Sequence, residues 1–284
     1  MILVTGHNGF IGSHLWRALE YQHVDIEVIG MDPRGMGFKP DEVPDIIRLY
    51  GNDLEAVFHL GAISDTTCDD EDALFNTNNY LPMQLAQFCN MRNIPLIYAS
   101  SASVYGNGQG PLNAYARSKA TFDAWRENVR LPNAAPWYGL RFFNVYGPGE
   151  AHKGKQASMV HQLIEQARDT GWCNIFEGDA FDKFLARDFV HVDDVVSVML
   201  WLWKNRPASG IYDVGTGVSR SFESIHIALC EQGKKHLGLR YIPFPDSLNG
   251  KYQFRTQADL SKLRAAGYDK PFLSLEEGIE RMLK

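Results

Sequence analysis

The sequence predicts an α/β fold: a doubly wound parallel sheet with a smaller lobe interleaved with it. Short, almost wholly apolar runs alternate with segments of helical period through the first half of the chain. Strands that apolar are buried on both faces, as in a parallel sheet covered by helices, and a β-α-β-α order is doubly wound. After Gly147 the regularity breaks into loops, short helices and short strands.

In chain order, "ILVTG" is a strand and "FIGSHLWRALEY" a helix with apolar Ile11, Leu15, Ala18 and Leu19 on one face. "IEVIGMD" is the second strand, followed by a polar stretch rich in Gly and Pro over 33–45. "AVFHLGA" is a strand, and "DALFNTNNYLPMQLAQFCNMRN" is largely helix. "IPLIYASSA" is a strand, "YARSKATFDAWRENV" a helix, and "PWYGLRFFNVYG" a single strand. Beyond it come the short elements around "FEGD", "RDFVHV", "GIYDVGTG" and "LRYIPFP", a buried helix at "VVSVMLWLW" (195–203), and a last helix near 274–283. Residues 1–150 form the expected larger domain; residues 151–284 form mainly the smaller lobe, with some segments returning to the first domain.

The composition is that of an ordinary globular enzyme, with 45% apolar and 22% charged residues among 284. Twenty-eight basic against 34 acidic residues, with no basic block, argue against a nucleic-acid partner. No apolar run approaches the roughly 20 residues of a membrane span, and no leader-like segment opens the chain, so neither a membrane partner nor secretion is expected. Cys68, Cys89, Cys173 and Cys230 form no CxxC pair, which fits reduced thiols in a cytoplasmic protein. The histidines show no metal-binding spacing, so no metal site is expected.

The first strand-to-helix turn, "TGHNGFIG", spaces Gly6, Gly9 and Gly12 as GxxGxxG. A dinucleotide turn uses one glycine for tightness, one for backbone approach to the pyrophosphate and one for helix packing. The helix N-terminus offers its N–H groups to the phosphates. Gly6, Gly9, Phe10, Ile11 and Gly12 are therefore the expected cradle. Asp32 ends the second strand, where a carboxylate holds ribose hydroxyls and favours NAD. Arg34 and Lys39, just past Pro33, offer cations for a 2′-phosphate. NADP is the expected cofactor, with NAD the alternative.

"NAYARSKATFDAW" (113–125) sets Tyr115 and Lys119 four apart, on one helical face. A free phenol titrates near ~10, too high for a base at neutral pH. A neighbouring ammonium and a positive nicotinamide both favour the phenolate, and a drop of about three units corresponds to roughly 4 kcal/mol. Lys119 also suits the nicotinamide ribose. Ser100 and Ser101 end the fourth strand in "YASSASVYG"; Ser101 is the candidate to hydrogen-bond the same substrate oxygen.

Together these motifs resemble the extended short-chain dehydrogenase/reductases that act on nucleotide sugars. The match covers GxxGxxG, "HLGA", Asn78, SSA-x-VYG, YxxxK and "RFFNVYGP". The resemblance implies a Rossmann-like domain in which Leu60, Gly61, Ala62, Ile63, Ser64 and Asn78 border the cofactor and Val145 approaches the nicotinamide. In the second half, "FNVYGPGEAHKGKQAS", "FEGD", "RDFVHVDDV" and "YIPFPDSLNGKYQFRTQADLSKLRAAGYDKPF" narrow it to the ADP-glyceromanno-heptose 6-epimerase family. That family interconverts the C6 epimers of ADP-heptose for lipopolysaccharide core assembly.

The narrower resemblance implies that Lys153, beside the cofactor, is a second acid/base and that Asn144 contacts substrate. Phe176, Glu177, Gly178 and Asp179 would line the adenosine site, Arg187 would pair with a phosphate, and Tyr252 would close over nucleotide or sugar. A homo-oligomer is implied. Lys155, just past the HKG segment, is an added cation that either strengthens binding of the substrate's phosphates or is simply solvated. This chain departs from the pattern where "LYGND" stands for a strand and helix, leaving one side of the adenosine pocket open, and where "AFDKFLA" is inserted before Arg187. A UDP-hexose 4-epimerase shares Ser101, Tyr115 and Lys119 but does not require Lys153. Ala102 and Ser103 stand where a 4,6-dehydratase carries an acidic pair, and the Ser-Tyr-Lys set argues against a non-catalytic NADP(H)-binding protein.

Overall fold

Residues 1–22, 27–32, 49–129, 134–177, 185–233, 236–246, 250 and 252–284 are described by a computed structural model. From the N-terminus, β1 (Ile2–Thr5) leads through α1 (Phe10–Gln22) to β2 (Val28–Met31). β3 (Ala56–His59) precedes a long helical stretch of three parts: α2 (Glu71–Phe75), a π-helical turn (Asn76–Tyr80) and α3 (Leu81–Arg92). β4 (Leu96–Ser101), a 3-10 turn (Ala102–Tyr105), α4 (Ala114–Asn128) and β5 (Trp137–Phe142) follow. Then come β6 (Asn144–Tyr146), a 3-10 segment (Ala151–Gln156), α5 (Met159–Thr170), β7 (Trp172–Phe176) and β8 (Ala186–His191). α6 (Val192–Asn205), β9 (Gly210–Val214), β10 (Ser219–Ser221) and α7 (Phe222–Glu231) lead to β11 (Gly238–Ile242), α8 (Ser261–Ala265) and α9 (Leu275–Leu283).

The main sheet runs β2-β1-β3-β4-β5-β9, with every neighbouring pair parallel. Alternating side chains leave each strand on opposite faces. Ile2 and Val4 join Leu15 and Leu19 of α1 and Val195 and Met199 of α6; Leu3 and Val57 join Leu85 and Phe88 of α3 and Phe122 of α4. This is the doubly wound, Rossmann-like arrangement expected. Strand order reverses between β1 and β3, and in such sheets the ligand crevice lies at the carboxyl ends beside that reversal.

The smaller sheet β10-β8-β6 and the β11-β7 pair pack with α5, α7 and α9 around Tyr146, Leu163, Phe189, Phe222, Ile225 and Ile279. One expectation needs correction. "PWYGLRFFNVYG" is not one strand. Phe143 N–H donates to Val214 O at 3.0 Å and Val145 N–H turns back to Phe143 O at 2.8 Å, so β5 stays in the main sheet while β6 joins the second. The stretch after β3 is helical as expected, and a π turn widens it around the buried Asn78 and Asn79. β9 pairs with β5, so the later half returns to the first sheet.

Candidate active site

The glycine turn is built by close backbone approach. Gly6 has φ +69°, and a Cβ there would lie 2.6 Å from Gly61 N; a Cβ on Gly12 would lie 2.0 Å from Gly6 O. Gly9 N–H donates to Gly6 O at 2.9 Å, which winds the turn into α1, where Phe10 and Ile11 begin the helix. Thr5 locks this turn to the loop after β3: its Oγ1 accepts from Gly61 N–H at 3.0 Å and pairs with His59 Nδ1 at 2.7 Å. Leu60, Gly61, Ala62, Ile63 and Ser64 form that loop. Asn78 supports it from behind, bonding Ile63 N and O at 2.9 and 3.0 Å and Ser118 Oγ at 3.0 Å. π turns often occur at functional sites, and this one is what brings Asn78 inward. Asp32 is buried at the end of β2. Pro33, Arg34 and Lys39 lie outside the described residues.

α4 starts on an Asn113 cap whose side chain accepts from Ala116 N–H at 2.8 Å, placing Tyr115 in the first turn. Tyr115 and Lys119 are both buried, and Tyr115 hydrogen-bonds the Ser101 side chain. Ser101 Oγ also accepts from Ser103 N–H at 3.1 Å, while Ser100 is turned away to Asp123 at 2.9 Å. Ser101 and Tyr115 therefore meet, with Lys119 buried one turn further along the same helix, and Ser100 does not join them. Lys119 Nζ donates to Ala99 O at 2.9 Å.

Burial dominates the electrostatics of these two groups. Burial pushes the Tyr115 phenol up, opposed by the Ser101 hydrogen bond, and pulls the Lys119 ammonium down to about 8, opposed by Asp123. Burial disfavours the charged form of each group, so the protein's own residues do not supply the lowered phenol. His59 is held neutral by burial and then by the Lys119 charge, down to about 3.

Lys153, far along the chain, reaches Phe10 beside the glycine turn. Its Nζ lies 5.1 Å from the Phe10 ring centroid and 3.2 Å from Glu150 Oε2. Val145 sits in β6 opposite Val190, and Asn144 Oδ1 accepts from Thr256 Oγ1 at 3.3 Å. Lys155 is exposed two residues past Lys153.

A buried Arg187 anchors the second lobe. Its guanidinium donates to the carbonyls of Ala186, Gln253 and Phe254 and lies 4.8 Å over the Tyr252 ring. No carboxylate pairs with it among the described residues' salt bridges, and burial lowers its affinity for the proton. A desolvated guanidinium whose partners are carbonyls, the Tyr252 hydroxyl and aromatic rings suits an anion such as phosphate. Phe176, at the end of β7, packs edge-on to Phe244 at 5.5 Å, and Phe244 packs on Tyr252 at the same distance. Glu177 N–H donates to Ile242 O at 2.7 Å, so its backbone is engaged in the strand pair. Gly178 and Asp179 lie outside the described residues. The described residues hold no cluster of three or more His, Cys, Asp or Glu side chains placed for a metal.

Residues 2–215 match the NAD dependent epimerase/dehydratase family. The chain belongs to that family. It is 41% identical to an ADP-L-glycero-D-manno-heptose-6-epimerase of Brachyspira hyodysenteriae, over 99% of this chain and 96% of the relative. The crystal structure of the Helicobacter pylori ADP-L-glycero-D-manno-heptose-6-epimerase superposes with a TM-score of 0.85 at 30% identity, covering 99% of this chain and 94% of that one. A Thermus thermophilus UDP-glucose 4-epimerase complex with NAD gives 0.81 at 25% identity, covering 99% and 97%.

In this epimerase-family fold the glycine turn, the Thr5–Gly61 lock and the buried Lys119 make a cradle that fits a nicotinamide dinucleotide. The cofactor class is therefore a nicotinamide. Sequence reading missed several supporting groups. Asp123, four residues past Lys119, accepts from Tyr98, Ser100 and Arg141 at 3.1, 2.9 and 2.9 Å; its helical spacing was the available signal. Buried Asp188 gathers the N–H groups of Thr216, Gly217 and Ala258 at 2.7, 2.8 and 3.0 Å, and nothing in the local sequence announces it. Glu150, three residues before Lys153, is fully buried, and its position in the sequence gives no sign of that.

Proposed function

We propose that this nucleotide-sugar epimerase inverts C6 of an ADP-activated glyceromanno-heptose, using bound NADP⁺ and a transient 6-ketone. The nicotinamide supplies a reversible hydride acceptor for the sugar carbon. Tyr115, hydrogen-bonded to Ser101, takes the C6 hydroxyl proton in one orientation of the exocyclic group. After rotation about C5–C6 the oxygen points elsewhere, and Lys153 handles the proton there. Arg187 holds the diphosphate, with Tyr252 and Phe176 beside the nucleotide; Asn144 contacts the sugar.

The single observation that supports this proposal is Lys153 standing over Phe10 at the start of α1, 5.1 Å from its ring centroid. A UDP-hexose 4-epimerase needs no such second group. NADP is favoured over NAD by Arg34 and Lys39, against Asp32, and comparing dissociation constants for the two coenzymes decides it. A homo-oligomer in the cytoplasm accords with the family resemblance and with free thiols; among the described residues no helix is long and apolar enough to cross a membrane.

Incubation with ADP-heptose and with UDP-glucose, each followed by epimer separation, tests the substrate. Conversion of ADP-heptose alone is expected, without solvent deuterium entering C6. Conversion of UDP-glucose alone, or deuterium at C6, overturns the proposal.

A further inference from the structure

Glu150 has no solvent exposure, in the short connection between β6 and the segment that carries Lys153. A buried carboxylate is strongly unfavourable unless its oxygens are satisfied. Here Oε1 accepts from Gly147 N–H at 3.2 Å and the Ser158 hydroxyl at 2.7 Å. Oε2 accepts from Ser158 N–H at 2.8 Å and from the Lys153 ammonium at 3.2 Å. Three donors are neutral and shape the turn. The fourth is the proposed acid/base group itself.

Lys153 is thus fixed from two sides, by a buried anion of its own segment and by the Phe10 ring of the cofactor turn. A lysine stem ordinarily keeps much rotamer freedom, and two such anchors remove it. The far end of the segment is tied as well: Gln156 Nε2 donates to Asp65 Oδ1 at 2.8 Å, in the loop that follows β3. The segment is therefore braced across the crevice at both ends.

We propose that Glu150 is a positioning residue, whose carboxylate holds the Lys153 ammonium over the cofactor turn and so sets its reach in proton transfer. This rests on the acid/base role given to Lys153 above. Glu150 touches neither the Ser101–Tyr115–Lys119 set nor the glycine turn; it acts through Lys153.

The test measures kcat, KM and thermal midpoint for Glu150→Gln, Lys153→Met and the double variant, on full chain carrying its nicotinamide, with ADP-heptose as substrate. Glu150→Gln is expected to lower kcat about 100-fold, as a misplacement near 1 Å does, with KM little changed. Lys153→Met is expected to lower kcat roughly 10²–10⁴-fold, and adding Glu150→Gln to it changes kcat by less than about threefold. A multiplied loss in the double variant overturns the positioning role while leaving Lys153 as acid/base. Wild-type kcat in Lys153→Met overturns the acid/base assignment and the positioning role with it.

If Glu150→Gln does not fold, Glu150→Asp makes the same comparison. It keeps the charge but withdraws the ammonium by one methylene, and the expected loss of about tenfold again vanishes in the Lys153→Met background. Ser158→Ala removes a neutral donor to Glu150 and the cap of α5, where Ser158 Oγ accepts from His161 N–H at 3.1 Å, so the thermal midpoint should fall while kcat stays within about threefold. A loss in Ser158→Ala equal to that in Glu150→Gln overturns the proposal, because the carboxylate would then serve the turn alone.

Discussion

Gly6 and Gly61 meet backbone to backbone: a Cβ on Gly6 would stand 2.6 Å from the Gly61 amide nitrogen and 2.7 Å from its Cα. The glycine turn and the loop after β3 are therefore one unit, shaped by contact between two chain segments 55 residues apart in number (61 minus 6).

Gly6→Ala should weaken coenzyme binding at least about tenfold and lower the thermal midpoint, because a left-handed φ costs a side chain roughly 1–2 kcal/mol before any clash. Gly108→Ala is the control. Gly108 has φ +85° but nothing within 4 Å of its virtual Cβ, so it should lose stability through φ alone and leave coenzyme affinity unchanged. Titration of both variants with coenzyme checks this.

Tyr115→Phe should cut kcat by roughly 10²–10⁴-fold, the usual contribution of a positioned acid/base. It removes only the hydroxyl, so coenzyme binding and thermal midpoint should stay near wild type. Unchanged kcat would remove the phenol from the chemistry.

Arg187→Lys keeps a positive charge and discards the planar fork. Loss of charge-assisted hydrogen bonds worth about 1.5–3 kcal/mol should appear chiefly as a KM increase of roughly tenfold or more for the nucleotide sugar, with kcat little changed. Coenzyme affinity should not move. A kcat effect with normal KM would place Arg187 away from the phosphates.

His59 gives a pH signature. Burial and the Lys119 charge lower it from 6.5 to about 3, so the folded protein excludes a proton that the unfolded chain takes up. Between those values the unfolded state binds more protons, and stability rises with pH. The stabilisation is present above pH 6.5 and is lost as pH falls toward 3, by about 5 kcal/mol at the upper bound. His59→Gln should therefore flatten the dependence of unfolding free energy on pH across this window. An equal slope in both proteins would contradict it.

Much of the main domain was legible because its signals are local. GxxGxxG, the apolar strands and the four-residue step from Tyr115 to Lys119 each depend on neighbours in sequence, and each kept its expected place. Asp123 repeats that step and was readable by the same rule. What escaped notice depends on distant partners. Thr5 finds Gly61 and His59, Asp188 finds Ala258, and neither pairing has a pattern in the chain. The break between β5 and β6 follows from Val214, which captures the Phe143 amide from another segment. Spacing places Tyr115 and Lys119 on one helical face, but the burial that pushes the phenol up is set by the packing around that face.

The widened helical turn at Asn76–Tyr80 has an evolutionary consequence. Helices of this length commonly absorb substitutions, yet removing a single residue here would restore regular winding and rotate one flank against the other by about 100°. Asn78 would swing off Ile63 and Ser118, while either the buried Leu74 turned outward or Leu85 left its apolar neighbours. Lineages of this enzyme should therefore keep the length of this stretch fixed even where its letters drift.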